Sequence, residues 1–72
     1  MNWDQIEGRW EQLKGRARER WGEMTEDEVQ KARGDREQMI GLIQEKYGRT
    51  REEAEQELAK WQNDVLSDEK SQ

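Results

Sequence analysis

The chain has 72 residues, of which 29% are hydrophobic and 43% charged, and carries a net charge of −5. That length allows one small domain with a barely sufficient core, and the acidic balance argues against general affinity for nucleic acid. Cysteine and histidine are both absent, which excludes a disulfide framework, a thiol nucleophile, and the commonest general base and transition-metal ligand.

So polar a chain lies near the boundary where burial no longer offsets ordering entropy. Four tryptophans argue for a folded domain, since each can bury on the order of 150–250 Å². No apolar run approaches the roughly 20 residues needed to span a bilayer. The opening MNWDQIEG lacks the basic and then apolar regions of a secretory signal, so the expected location is the cytoplasm.

In chain order, Asn2 with Gln5 forms a capping-box pattern that opens a first helix. Trp3, Ile6, Trp10, Leu13, Ala17 and Trp21 then follow at steps of three and four, drawing one apolar stripe. Gly22 is placed for a left-handed C-cap. Thr25 with Glu28 opens a second, short helix whose apolar pair is Val29 and Ala32. Its first turn carries Glu26, Asp27 and Glu28, where the helix dipole favours negative charge. Gly34 and Asp35 bend the chain, and Asp35 with Gln38 caps a third helix bearing Met39, Ile40, Ile43 and Tyr47, which stops at Gly48. Thr50 with Glu53 caps a fourth, with Ala54, Leu58, Trp61 and Val65 on its apolar face. Residues 67–72, SDEKSQ, have nothing to bury and are expected to form a disordered tail.

An internal repeat emerges when residues 8–22 are laid over 34–48. GRWEQLKGRARERWG then faces GDREQMIGLIQEKYG, with three coincident glycines, and Leu13, Ala17 and Trp21 fall on Met39, Ile43 and Tyr47. The expected fold is all-α: four short helices as two packed hairpins with an approximate internal duplication, about 2–33 and 34–66, forming one domain over 1–66. Gly22 and Gly48 read as C-caps and Gly34 as part of a bend. Gly8, Gly15 and Gly41 lie nearly opposite the tryptophan stripe. They either admit close approach of another backbone or, on the plainer reading, merely loosen an exposed helix face.

The carboxylate clusters at 26–28 and 52–53 follow threonine caps, so they read as structural rather than as acid/base pairs or metal ligands. No catalytic constellation, cofactor site or metal site is expected. Charge is uneven, however. Residues 1–22 balance to +1, because Arg9, Lys14, Arg16, Arg18 and Arg20 stand against Asp4, Glu7, Glu11 and Glu19. Those five basic residues are the candidate surface for an anionic partner, either nucleic acid or an anionic membrane. The interspersed glutamates and the lack of an aromatic row beside them favour an ordinary solvated face.

These residues resemble the CsbD-like family of small bacterial stress proteins. The matching features are the W-x-x-I-x-G-x-W-x-Q-L-K-G opening, the R-W-G-x-x-T turn, and the G-x-R-x-Q-x-x-G-x-I-Q-E-x-Y-G and E-E-A-E-x-E segments, covering about residues 2–61. The resemblance implies a small all-helical fold and a soluble bacterial protein accumulated in general stress responses, and it brings no catalytic or ligand residues. The expected function is non-enzymatic: a soluble helical module that protects or binds an unknown protein or macromolecular client, as a monomer or weak homodimer. The alternative is a binder of nucleic acid or anionic membrane through the basic side of the first helix.

Overall fold

The computed structural model describes the backbone of residues 3–70 and the side chains of residues 3–67. Five α-helices follow one another: α1 (Trp3–Gly8), α2 (Trp10–Arg20), α3 (Glu26–Ala32), α4 (Arg36–Tyr47) and α5 (Arg51–Lys70). The all-α class therefore holds, but with five helices where four were expected. Each packs against the next, and α1 returns to close against α5. At about 1.5 Å rise per residue, the 20-residue α5 is about 30 Å long. The molecule measures 35 × 24 × 19 Å, so α5 is its spine.

The extra helix arises because the expected first helix breaks at Arg9 (φ −115°, ψ 24°), without a side-chain cap. The backbone turns there through an Arg9 N–H bond to the Ile6 carbonyl at 3.1 Å, and the ladder restarts with Leu13 N–H to the Arg9 carbonyl at 3.0 Å. No proline forces the break. Tertiary docking does: a bent α1 lays Ile6 fully into the core and brings Trp3 against Trp61.

The other boundaries follow local chemistry. Thr25 and Glu28 form a reciprocal capping box, and Thr50 and Glu53 exchange the same pair of bonds at 2.9 and 3.1 Å. Asp35 accepts from Glu37 N–H and Gln38 N–H at the start of α4. Gly48 ends α4 in the left-handed region at φ 63°. The Asn2 cap lies outside the described residues. Gly22 is not the left-handed cap of α2, because the helix ends at Trp21 itself (φ −122°, ψ 80°). The Trp21 indole is anchored between Trp61 and Glu57, so the chain leaves the helix there, and Met24 N–H closes a turn onto the Trp21 carbonyl. At the far end α5 continues through Lys70, so the first four residues of the expected tail are helical. Residues 71 and 72 lie outside the described region.

Apart from Gly34, every described buried residue is hydrophobic, and the set contains most of the predicted stripes. Trp3 and Tyr47 are only half-buried, and Met24 and Leu66 join the core without having been expected there. Trp61 stands at the centre. Its ring lies 5.5 Å from that of Trp21, 6.2 Å from Trp3 and 6.3 Å from Trp10, the last edge-to-face at 74°. Such tilted and edge-on pairs match the aromatic quadrupole and add about 0.5–1.5 kcal/mol each beyond area burial. The indole N–H groups are also engaged. Trp3 donates to the Gly34 carbonyl, and Trp10 donates to the Val29 carbonyl at 2.9 Å.

Gly34 is the one glycine where close approach is required. Arg33 and Gly34 are both at positive φ (51° and 79°), and Asp35 N–H bonds the Ala32 carbonyl at 2.7 Å. This is the pattern of a type I′ turn. A Cβ on Gly34 would stand 3.0 Å from the Glu7 Cα and 3.4 Å from the Trp10 ring. Around Gly8, Gly15 and Gly41, by contrast, an added Cβ meets nothing within 4 Å. Within the chain these three serve no close approach, and the loosened exposed face is the reading that fits.

Opposite outcomes are expected for glycine substitutions measured by thermal unfolding. Gly15→Ala and Gly41→Ala each stabilise, by about 0.5–1 kcal/mol, because both sit in exposed helix interiors. Gly34→Ala destabilises by at least about 1 kcal/mol through strain and collision with α1. Trp61→Ala costs about 3–5 kcal/mol, most of the stability of a chain this size, and abolishes cooperative melting. Trp61→Phe retains it at a lower midpoint.

Candidate anion-binding surface

Along α2, residues four apart share a side of the helix. Lys14 and Arg18 accordingly turn toward α3. Lys14 Nζ bonds Gln30 Oε1 at 2.7 Å and pairs with Glu11 at 3.0 Å. Arg18 borders the same cleft, with Glu26 and Val29 on its other wall. Arg16 and Arg20 turn toward α5, where they border a shallow cleft with Glu19, Trp61 and Asp64. Arg9, at the joint between α1 and α2, borders a third cleft with Glu7, Glu11, Gln30 and Arg33. The five predicted basic residues thus face three directions, each interleaved with carboxylates.

A tighter cluster forms around a residue that the sequence did not single out. Glu57, at the end of the second turn of α5, receives Arg49 Nε at 2.6 Å on one oxygen and Trp21 Nε1 at 3.2 Å on the other. Arg20 stands 3.7 Å away, with its guanidinium 5.4 Å from the Trp21 ring centroid. Arg20, Arg49 and Lys60, with Glu53, Gln56 and Glu57, line one cleft. No local signal marks this grouping, because it joins the end of α2, the α4–α5 linker and the face of α5. Only the nearness of Arg49 to its own capped helix was visible in the sequence.

In each acid cluster the third residue after the threonine, Glu28 or Glu53, serves as a cap, and other acids tie helix to helix. Glu28 accepts from Thr25 N–H with one oxygen and from Lys46 Nζ, at 2.8 Å, with the other. Glu53 accepts from Thr50 N–H. Glu37 accepts from Arg51 at 2.7 Å, joining the starts of α4 and α5. Among the described residues no three metal-ligating side chains converge, and no helix is long and apolar enough to cross a membrane.

These contacts set the titration of the acids. Partial burial pushes Glu57 up, but hydrogen bonds from Arg49 and Trp21 and the charges of Arg49 and Arg20 outweigh it, leaving the carboxyl below its ordinary value of 4.5. The Lys46 bond holds Glu28 below that value, the Arg51 bond does so for Glu37, and the Lys14 bond for Glu11. A carboxyl with a lowered folded-state pKa takes up its proton first in the unfolded chain. Its stabilisation is therefore complete above the ordinary value and is lost as pH falls through the folded one. The melting midpoint is expected to hold from pH 7 to about 5 and to drop below about 4.5. Glu57→Gln lowers the midpoint at pH 7 and shrinks that acid drop, as melts across the pH series will measure. Substituting the exposed Glu11 changes little.

Comparison with protein families matches residues 4–56 to the CsbD-like family. A UPF0337 protein of Pectobacterium atrosepticum is 46% identical over 63 residues, covering 88% of this chain and 91% of that protein. A UPF0337 protein of Pseudomonas aeruginosa is 50% identical over 58 residues, 81% and 89% of the two chains. The UPF0337 protein YjbJ of Escherichia coli K12 is 42% identical over 62 residues, 86% and 90% of the two chains. No solved structure matches the chain. With most of its length matched by the family model and by these relatives, the chain belongs to the CsbD-like family.

Proposed function

We propose that the chain is a non-enzymatic general stress-response protein of the bacterial cytoplasm, a soluble helical module that protects or binds other macromolecules. Family membership and the bacterial origin of the relatives support the setting. The observation that carries the molecular reading is the division between interior and surface. Among the described residues no polar or charged side chain is buried, while charged groups tie helix to helix around the outside, as in Glu28–Lys46, Glu37–Arg51 and Glu57–Arg49. A net charge of −5 on so small a body favours solubility at high abundance.

The same reading treats residues 1–66 as one unit descended from a duplicated hairpin. Its support is that α2 and α4 each begin two residues after the first glycine of their segment, Gly8 and Gly34. The Arg9 joint and the return of α1 onto α5 are then additions to the older pattern.

A protection assay tests the function. A heat-labile enzyme is warmed past its unfolding temperature, with the chain or with an equal mass of an unrelated acidic protein, and light scattering and recovered activity are followed. The chain is expected to lower scattering and raise recovery beyond the control, and equality with the control overturns protection as the activity. The alternative, contact with nucleic acid or anionic membrane, draws support from the cleft of Arg20, Arg49 and Lys60 and from Arg18. Binding to duplex DNA or to phosphatidylserine vesicles that falls steeply between about 50 and 200 mM salt, and is lost in Arg16→Glu with Arg20→Glu, is the result expected from that alternative. Binding indifferent to salt and to both substitutions excludes it.

A further inference from the structure

We propose that α1 exchanges between two copies of the chain, so that at high concentration the joint at Arg9 straightens and each α1 docks in the site vacated by its partner's. The conflict between local sequence and observed backbone at this joint carries the inference. Trp3, Ile6, Trp10, Leu13, Ala17 and Trp21 form an unbroken stripe at helical spacing across residue 9, which encodes one continuous helix over 3–20. The observed chain instead bends at a non-helical Arg9 with no capping side chain. The bend interrupts the helical ladder and leaves α1 with six residues, too few to be stable as an isolated helix.

Docking holds α1 in place: the Trp3 indole on the Gly34 carbonyl, the Trp3 ring on Trp61, Ile6 in the core, and the Glu7 backbone against the Gly34 turn. An undocked α1 can remain helical only as an extension of α2, and it then projects Trp3 and Ile6 away from the body. The vacated site is lined by Trp61, Trp10 and the Gly34 turn, where absence of a Cβ admits a helix backbone. That shape and its carbonyl acceptor select the segment that already fits it, and the occupant is therefore the α1 of a second copy. Exchange preserves every docking contact and adds the helical bonds missing at two joints, against the entropy of association.

The test uses the full chain. Equal amounts of isotopically labelled and unlabelled protein are unfolded together, refolded at about 1 mM, and separated by size, and isotope-filtered NOEs are recorded on the dimer. In a monomer the Trp3–Trp61 contact at 6.2 Å is intramolecular. In the exchanged dimer it crosses between chains, and in the mixed dimers, about half of the population from equal mixing, it joins a labelled to an unlabelled chain. Arg9→Gly, which accepts the bend and disfavours the straight helix, is expected to weaken dimerisation roughly 25-fold, at about fivefold for each of two joints. A chain that stays monomeric to 1 mM overturns the proposal. So does a dimer whose Trp3–Trp61 NOEs are all intramolecular, or a dimerisation constant unmoved by Arg9→Gly.

Discussion

Three separate segments of this chain are held together by one side chain. The ring of Trp61 meets Trp3 from α1, Trp10 from α2 and Trp21 at the end of α2, all within 6.3 Å. A chain with 29% hydrophobic residues cannot assemble a broad aliphatic core, and it concentrates its burial in a few large aromatic groups instead. The consequence is geometric as well as energetic. For both ends of the α1–α2 stripe to reach a ring on α5, the stripe cannot stay straight, and the backbone yields at Arg9. The same demand places the end of α2 at Trp21 rather than at Gly22.

The tryptophans also fix polar positions, because each indole carries an N–H that needs an acceptor when buried. Trp3 and Trp10 find backbone carbonyls in the α3–α4 turn and in the middle of α3, Gly34 and Val29. Trp21 finds a side chain, Glu57. That choice draws Arg49 and Arg20 around the carboxylate and creates the only grouping in which the linker, α2 and α5 jointly face one cleft, among the clefts described above. The charged surface is thus organised from the inside: the aromatic cluster sets where α5 crosses α2, and the crossing decides which charges meet.

The acidic residues illustrate how local and tertiary roles combine in so short a chain. Glu28 caps α3 and also pairs with Lys46 of α4, while Glu37 begins α4 and pairs with Arg51 at the start of α5. Individually such exposed pairs contribute little. Their arrangement matters more for orientation, since each joins the end of one helix to the end of another.

Helical class, the caps at Thr25, Asp35, Gly48 and Thr50, and the apolar stripes were legible in the sequence, because capping and helical periodicity act over three or four residues. Family membership was legible for the same reason: its motifs are these caps and stripes in order. The Arg9 break was not: Gly8 weakens the helix there, but Gly15 and Gly41 stand inside unbroken helices, and the contact that bends the chain lies on α5, some fifty positions away. Nor was the Glu57 cluster, whose partners Trp21 and Glu57 are separated by 36 positions. The glycines divide along the same line. Gly48 needs only its own positive φ, which local pattern reveals, whereas Gly34 needs the backbone of Glu7 pressed against it. The sequence by itself determined which segments are helical and which faces are apolar. Only the tertiary structure decided where the first helix bends and which charges meet, because both depend on contacts between residues that are distant along the chain.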